Sequence, residues 1–593
     1  MRNLFSSIVA FNEVSKDVGM DYAATLYGTA VSLGAIALFY FTGLVFLYCI
    51  KFEKTGLYRA CCSFVCGIFI HGLVGLTITF FANKELVAQL LLSVLYISCV
   101  GVFASSIIKK RKFFYVTLDR SSLAVLSIWV VFVTMCNALV YSQIKYPDQL
   151  YDGPYIVKQE TLPVKIQVLT YDLPADNMLP YLVTEYFMRD VDFRIERPIL
   201  PGQEVTNRTI LMSLVVMPFR AAMFKTEKIN GSLGVFHYVG TDWPDISVLL
   251  NDQLYAVFVS IGLALNSLIF FAFLLLYKEL VGEKNLIFAA LIFVLTPYVF
   301  DQTIFIWPKN LAAFFILLAL YRVISGEKGV VFTFFLLGLG YNSHPFGIVF
   351  LGGFGLYYVL QDWKVGNYYR TGKAIAMSVL MLAPWMIWSK LVLQLNSDLV
   401  MQNFIPDSKT DFVWARIYHL YVVWFPSFLE IYPFSPQAVY AGMKVCVPGI
   451  VGIFTFAASY YMLYQFIRSE HRDWTLLCLL LPLALILLIF SRPNSPIFHG
   501  YQVLVPVLMI LAFRFFQRYN NAVVLVVFSL QAIFGLYLWE ETLVERCFPK
   551  AIQSMANVSA SEHQPEEKVL AEPKVTLEFA SSEQANSLSK LTE

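Results

Sequence analysis

The chain has 593 residues, of which 58% are hydrophobic and only 14% are charged, and its mean hydropathy is +0.64. Soluble domains carry about a quarter charged residues, so this composition is typical of a polytopic membrane protein. The formal net charge is +2 and the longest basic block is Lys109–Lys112, which gives no support for a nucleic-acid partner. The nine cysteines show neither a disulfide framework nor a zinc-ligand spacing.

Apolar stretches that could cross a bilayer recur along the chain, because a transmembrane helix needs about 20 such residues. The first, Ala23 to Ile50, is too long for the apolar region of a signal peptide and lacks a convincing cleavage site, so we expect a retained helix. The sequence predicts an all-α polytopic membrane protein with about 13–14 transmembrane helices. The predicted spans are 24–50, 57–81, 85–108, 121–142, 253–277, 285–301, 307–324, 329–343, 345–361, 374–395, 447–467, 474–491, 499–516 and 521–539. The pair 329–343 and 345–361 forms either two short spans or one broken element.

Lysine and arginine fall in alternate loops, and such loops are cytoplasmic in membrane proteins. These residues are Lys51, Lys54, Arg59, Lys109 to Arg120, Lys278, Lys284, Arg322, Lys328, Lys364, Arg370, Lys373, Arg468, Arg472, Arg514 and Arg518. The long loops 143–252 and 396–446, the loop Ser491–Phe498 and both termini are therefore expected on the outer face of the plasma (inner) membrane.

The spans and loops divide the chain into six segments. They are three additional N-terminal helices (1–120), a first core helix with a large outer-face loop and juxtamembrane helices (121–252), a transmembrane bundle (253–395), a second outer-face loop (396–446), C-terminal transmembrane helices (447–540) and a disordered tail (541–593).

The large outer-face loop carries the run Asp172 to Tyr181, where paired carboxylates can meet a polar ligand. A strand-like alternation over 163–170 precedes it and predicts a loop domain of mixed α/β character. Pro180 fits the first turn of a helix over 180–189, so the Asp176 carboxylate would lie near the positive end of that helix. A helix cap at Asp176 and a turn at Asp172 are the simpler structural alternatives.

Three further features follow in the same loop. Glu185 lies in the predicted helix, and Arg197 lies in a turn bounded by Pro198 and Pro201. The amphipathic stretch Thr209 to Phe224 is too short to span a bilayer, and we expect it to lie in the membrane interface.

This layout resembles the first outer loop of glycosyltransferases of the GT-C superfamily, which include lipid A aminoarabinose transferases and protein O-mannosyltransferases. Residues 176–181 (Asp-Asn-Met-Leu-Pro-Tyr), 197–200 (Arg-Pro-Ile-Leu) and 211–219 occupy the family's acid-bearing helix start, proline turn and juxtamembrane helix in order. Residues 498–506, with His499 and Tyr501, resemble the start of a late family helix. Asn177 and Ile199 depart from the family pattern, which has an acidic residue and a second proline there. The resemblance covers about residues 121–516.

The resemblance implies an enzyme that takes a sugar from a polyprenyl-phosphate donor and transfers it to a glycan, lipid or protein acceptor. Such chemistry needs a carboxylate to remove a proton and cations to hold the departing phosphate. Asp176 is the candidate base, with Asp172 as its orienting partner; both could also hold a divalent cation, Mg²⁺ or Mn²⁺. The candidate residues for binding the substrate are Lys309, Arg492, His499, Tyr501, Glu185, Arg197 and His344.

Simpler structural roles and other functions compete with this hypothesis. Lys309 could be an interfacial anchor beside Trp307, Arg492 a loop cap, and the histidines hydrogen-bonded groups near the lipid headgroups. The chain could instead be a transporter or flippase of a lipid-linked saccharide, or a scaffold of an envelope assembly. The sequence shows no clear internal repeat, and its ionisable residues gather on the predicted outer rim, which favours an enzyme.

Overall fold

The computed structural model shows a helical membrane protein. It describes residues 22–109, 120–144, 155–157, 160–162, 178–194, 205, 209–229, 233–238, 241–244, 246–249, 251–327, 329–394, 413–414, 446–489, 499–518 and 521–530. The predicted strand over 163–170 and the predicted tail over 541–593 lie outside these residues.

Four long helices open the fold: α1 (Tyr22–Cys49), α2 (Gly56–Ile78), α3 (Lys84–Ile108) and α4 (Arg120–Ile144). Helix α2 packs very closely against its neighbours because glycines replace side chains at the contacts. A Cβ atom at Gly67 would lie 1.9 Å from the Phe39 carbonyl oxygen of α1, and one at Gly75 would lie 1.9 Å from that of Leu214. Only glycine fits at either point.

The loop between α4 and the core bundle contains two buried helices, α5 (Leu179–Arg189) and α6 (Leu211–Met223). Two short antiparallel hairpins accompany them, β1 (Tyr155–Val157) with β2 (Glu160–Leu162) and β3 (Val235–Tyr238) with β4 (Thr241–Pro244). Isolated hairpins do not form a domain, so a mixed α/β domain is not supported in the described part of this loop.

Helix α5 confirms the predicted helix over 180–189, and Pro180 lies in its first turn, where a missing N–H costs nothing. Helix α6 confirms a helix within 209–224, but its surroundings differ from those of an interfacial helix. Every residue from Leu211 to Ala221 is buried, including Arg220. The polar face of α6 is covered because Arg220 pairs with a carboxylate of α5 rather than with water.

The core bundle follows. Its helices are α7 (Asp252–Ser267), α8 (Ile269–Leu280), α9 (Leu286–Leu295), α10 (Pro297–Ile304), α11 (Lys309–Ile324), α12 (Val330–Ser343), α13 (Gly347–Val365), α14 (Tyr369–Met386, continued by a π-helical turn over Ile387–Val392), α15 (Cys446–Ile467), α16 (Leu481–Ile489, preceded by the turns Arg472–Trp474 and Thr475–Leu480), α17 (Tyr501–Phe516) and α18 (Asn521–Leu530). Helices α7 and α8 form one continuous span, Gln253–Leu280, whose apolar stretch is completely buried. This span is the centre of the bundle.

Six helices in the described residues are long and apolar enough to cross a membrane, or eight if each bent pair counts as one span. The sequence predicts 13–14 spans, and the shortfall lies mainly in the core bundle. Helix α11 has 16 residues and α12 has 14, and α9 and α10 are bent by 70° where Pro297 interrupts the helix. The architecture is therefore that of a multi-pass helical membrane protein in which several helices around the central span are short or broken.

The helix connections gather at two ends of the bundle. At one end, which we call the basic end, Lys54 pairs with Glu327 at 2.6 Å and Lys364 pairs with Asp473 at 2.8 Å. At the opposite end, which we call the loop end, Lys84 pairs with Asp190. These contacts join loops that the positive-inside pattern assigns to the same side of the membrane, in agreement with the predicted alternation.

Candidate functional site

A break between α10 and α11 places a lysine inside the bundle. The chain leaves the helix after Ile304, and Pro308 cannot donate the backbone hydrogen bond that a continuing helix would require. Lys309 is the first residue of α11, and its side chain is 1% exposed. Its Nζ atom lies 3.8 Å from the Trp307 ring centroid and 5.3 Å from the Phe305 ring centroid. The aromatic faces thus surround a buried cation.

Two imidazoles meet the same tryptophan. The ring centroid of Trp307 lies 5.5 Å from that of His344 and 6.0 Å from that of His499. The two histidine rings are 5.5 Å apart. We call Trp307, Lys309, His344 and His499 the break cluster.

The Nδ1 atom of His344 accepts a hydrogen bond of 3.2 Å from the backbone N–H of Phe346. Nδ1 therefore carries no proton, and in the neutral ring the proton is on Nε2. This arrangement gives the break cluster an N–H donor from His344 in addition to the ammonium group of Lys309.

Helix ends converge on the break cluster. Lys309 begins α11, His344 directly follows α12 and precedes α13 by a short turn, and His499 precedes α17. The N-termini of α11, α13 and α17 therefore lie beside these side chains, and helix N-termini carry partial positive charge. Backbone N–H groups at such ends bind anions, phosphate above all.

The break cluster is recessed within the bundle. Helices α11 and α17 each have 16 residues and run from the cluster to the basic end. At 1.5 Å per residue they are about 24 Å long, which is shorter than the roughly 30 Å of a bilayer's hydrocarbon core. A helix of this length that starts at the cluster does not by itself span the full hydrocarbon core.

Polar residues of α17 continue the site. Gln502 donates from Nε2 to Oε1 of Gln302 at 2.8 Å, and both side chains are buried. The Tyr501 ring lies 6.2 Å from the Tyr298 ring. These contacts attach the start of α17 to α10, so α10 connects the cluster to the α9–α10 bend.

Helices α5 and α6 begin close to the break. The Ser213 hydroxyl donates to the Pro180 carbonyl oxygen at 2.8 Å, which joins the first turns of the two helices. A Cβ atom at Gly262 of α7 would contact both Ile306 of the break, at 3.4 Å, and Met212 of α6, at 3.7 Å. The start of α5 is thus linked to the break through α6 and α7. In the sequence, Asp176 lies two residues before Met178, which is the residue that caps the start of α5.

Glu185 has a different environment from that expected of a substrate-binding residue. It is 0% exposed, and its two carboxylate oxygens accept hydrogen bonds of 2.7 and 2.9 Å from Arg220. Arg189 adds a third bond of 3.1 Å. This ion triad fastens α5 to α6.

An apolar cavity of about 260 Å³ opens on the side of the bundle between α4 and the α9–α10 bend. Its lining residues are Ser127, Ile128, Val131, Phe132, Met135, Leu291, Val294, Leu295 and Phe300. Phe300 belongs to α10, the helix that leads to the break. Its apolar lining suits a hydrocarbon chain.

The structure brings Lys309, His344 and His499 together and places Tyr501 at the start of α17 beside them. Asp172, Asp176, Arg197 and Arg492 lie outside the described residues. Within the described ranges, no group of three or more His, Cys, Asp or Glu side chains could hold a metal ion. Sequence reasoning treated Trp307 only as a neighbour of Lys309 and missed it as the centre of the cluster. The available signal was its position beside a proline between two apolar helices.

Comparisons with models of known protein families, with curated proteins and with solved structures returned no significant match.

Proposed function

We propose that this protein is a membrane glycosyltransferase of the GT-C type. It would transfer a sugar from a polyprenyl-phosphate donor to a glycan, lipid or protein acceptor on the outer face of the plasma membrane, in the synthesis of a cell-envelope glycan. The observation that carries the proposal is the convergence of Lys309, His344 and His499 on Trp307 within the membrane bundle. Three side chains from distant parts of the sequence meet where three helices begin.

A phosphate is the group that suits this environment best. Lys309 supplies an ammonium group, His344 supplies an N–H donor, and the helix N-termini supply partial positive charge. A cation buried in an apolar bundle is costly, and such residues usually serve a substrate pathway or site.

The donor's hydrocarbon chain would occupy the apolar cavity beside α10. The cavity between α4 and the α9–α10 bend is apolar and opens sideways, and α10 connects it to the break. A chain in this cavity would leave its phosphate near Lys309. The burial of apolar area would supply much of the affinity, at about 25 cal/mol per Å².

The reaction would proceed by displacement at the anomeric carbon. An acceptor oxygen forms a bond to that carbon while the bond from the carbon to the phosphate oxygen breaks. Asp176 takes the acceptor's proton, and polyprenyl phosphate leaves with its charge held by Lys309. Asp172 would orient Asp176, or both would hold Mg²⁺ or Mn²⁺. Arg492, Arg197 and Tyr501 would add contacts to the phosphate or sugar.

A second function has its own supporting observation. Transporters often bind substrate where helices are broken near the middle of the membrane, with half-helix N-termini facing anionic groups. The breaks at 305–308 and 344–346 have this form. A flippase of a lipid-linked saccharide would use the same phosphate site without any covalent step.

Sugar transfer by the purified full chain in nanodiscs separates the two functions. The assay supplies polyprenyl-phosphate sugars as donors and follows the release of polyprenyl phosphate and the appearance of glycosylated acceptor. We expect release in wild-type protein and none in protein-free nanodiscs. Movement of the intact donor between leaflets of proteoliposomes, without cleavage of any donor tried, would replace the enzyme by the flippase.

A further inference from the structure

Asn266 is a buried amide at the midpoint of the central span Gln253–Leu280. It is 0% exposed, and its side chain makes three contacts with the break between α10 and α11. Nδ2 donates to the carbonyl oxygens of Phe305 and Trp307, each at 3.3 Å. Oδ1 accepts from the backbone N–H of Leu311, also at 3.3 Å.

These contacts satisfy backbone groups that lose their helical hydrogen-bond partners at the break. In a continuous helix the Phe305 carbonyl would accept from the N–H of Lys309, but that N–H donates to the Trp307 carbonyl at 2.6 Å instead. Leu311 is the third residue of α11, and the first N–H groups of a helix have no partner within it. Water does not reach the hydrocarbon layer, so these groups must find partners inside the protein.

A second side-chain hydrogen bond restrains the same break between α10 and α11. Nδ2 of Asn310 donates to the Thr303 hydroxyl at 3.2 Å, which joins the start of α11 to the end of α10. Thr303 donates in turn to the Val299 carbonyl oxygen at 2.7 Å. Between these two anchors, the backbone from Phe305 to Leu311 has little freedom, and Trp307 and Lys309 lie within it.

We propose that Asn266 is the positioning residue of the phosphate site. It caps α11 from another helix and fixes the backbone that carries Trp307 and Lys309, and so holds the ammonium group on the tryptophan that the two histidines also contact. The proposal rests on the proposed function, since it assigns Asn266 a role in binding the donor's phosphate. Asn266 itself does not touch the substrate.

The test compares Asn266→Leu with Asn137→Leu. Asn137 is also buried in the membrane bundle, where its amide donates to the Ser32 hydroxyl and the Val133 carbonyl oxygen instead of to the backbone of the break. Each variant thus loses one buried amide. The probes are polyprenyl phosphate and the neutral polyprenol of the same length, with binding measured on purified full-length protein in nanodiscs. Hydrogen–deuterium exchange over residues 305–312 is measured on the same samples without ligand.

We expect Asn266→Leu to speed exchange over 305–312 and to weaken polyprenyl phosphate binding by about tenfold or more, while polyprenol binding stays at the wild-type level. Asn137→Leu should change neither the exchange of this segment nor the preference for phosphate. If Asn266→Leu does not fold, Asn266→Ser carries the same expectation, because its hydroxyl is too short to reach both carbonyls.

The outcomes separate the two proposals. Unchanged exchange over 305–312 in the Asn266 variant overturns the positioning role, whatever the protein binds. Faster exchange with an unchanged preference for phosphate also overturns it, since the break would then move without affecting the site. If the wild-type protein binds polyprenol as tightly as polyprenyl phosphate, the phosphate site itself is refuted. In that case the exchange result still decides whether Asn266 holds the break.

Discussion

The Nζ atom of Lys309 lies 3.8 Å from the ring centroid of Trp307, in the interior of a membrane bundle. A lysine that only anchors a helix at the membrane surface extends its ammonium group towards water. Lys309 does not, because its side chain is 1% exposed and its charge rests on an aromatic face. The contact with Trp307 lowers the cost of a buried charge, and His344 and His499 lie against the same tryptophan.

Replacing Lys309 by methionine should separate ligand binding from stability. Lys309→Met keeps a long unbranched side chain and removes the charge that would hold the phosphate. We expect a protein that still folds, with a measurable unfolding temperature, and a loss of at least about tenfold in polyprenyl phosphate affinity. Nano-differential scanning fluorimetry and binding in nanodiscs measure the two quantities.

Lys364→Met is the matched control. Lys364 lies at the basic end, is 61% exposed and pairs with Asp473. We expect it to leave polyprenyl phosphate binding unchanged. A lower unfolding temperature for Lys309→Met together with normal phosphate binding would show that Lys309 has only a structural role.

The Glu185 triad should dominate the stability of the α5–α6 pair. Glu185→Gln leaves Arg220 buried with a weaker partner, and removal of one member of a buried ion pair costs about 3–5 kcal/mol. We therefore expect poor yield or a large fall in unfolding temperature. The double variant Glu185→Leu with Arg220→Met removes both charges and should recover most of the loss. Failure of the double variant to recover any stability would mean that the triad does more than join the two helices.

Three members of the break cluster can be picked out from the sequence because their pattern is local. Lys309, His344 and His499 each lie where an apolar stretch stops beside Pro308, Pro345 or a loop, and all three were identified from that pattern. The partner of Glu185 was not identified, because Arg220 is 35 residues away and only the packing of α5 on α6 brings them together. Composition marks both residues as polar and cannot show that they neutralise each other.

The number of spans was the least predictable part of the fold. Hydropathy counts apolar residues, but α9 and α10 form a bent pair because Pro297 interrupts them. Helix α11 begins only at Lys309, because Pro308 cannot continue a helix from α10. Such breaks depend on buried partners such as Asn266, which hydrogen-bonds backbone groups that have no partner within a helix. Those partners come from other helices, so one-dimensional periodicity does not show them.

Gly75→Ala should disrupt the contact between α2 and α6. The added Cβ would lie 1.9 Å from the Leu214 carbonyl oxygen, a distance that atoms cannot adopt, so the two helices must separate. We expect a strongly destabilised protein with reduced yield. Gly101→Ala in α3 is the control, since nothing lies within 4 Å of its Cβ position, and alanine there should be neutral or stabilising by up to about 1 kcal/mol. Equal behaviour of the two variants would contradict the close packing of α2 on α6.

The ion pair at the loop end should respond to acid. Burial alone would raise the pKa of the Asp190 carboxyl, but the hydrogen bonds from Lys84 and Lys228 outweigh burial, so its pKa is lowered. The pair therefore stabilises the fold above the unfolded carboxyl pKa of about 3.9 and is lost as the pH falls through the lower, folded value. Asp190 is 40% exposed, so the effect should stay below about 1 kcal/mol.

Asp190→Asn tests this pair, because asparagine tolerates the left-handed backbone at this position, where φ is 58°. We expect the variant to unfold at a slightly lower temperature than the wild type near neutral pH, and the difference to vanish in acid below the carboxyl's pKa. A difference that persists unchanged in acid would point to the backbone or to packing instead of the charge.

Asp176 should carry the proton transfer. The sequence places it two residues before Met178, and the first turn of α5 is held to α6 beside the break that carries Lys309. Asp176→Asn keeps the size of the side chain and removes its basicity, so sugar transfer should fall by about 100-fold or more. Asp172→Asn should cost less, since Asp172 only orients its partner or shares a cation. Polyprenyl phosphate binding should survive in both variants, because Lys309 and the helix N-termini remain in place.

Full transfer activity in Asp176→Asn would show that another group takes the proton. A loss of transfer that is matched by a loss of phosphate binding would show that the substitution has disturbed α5, and the Asp172 variant would then distinguish a displaced helix from a missing base.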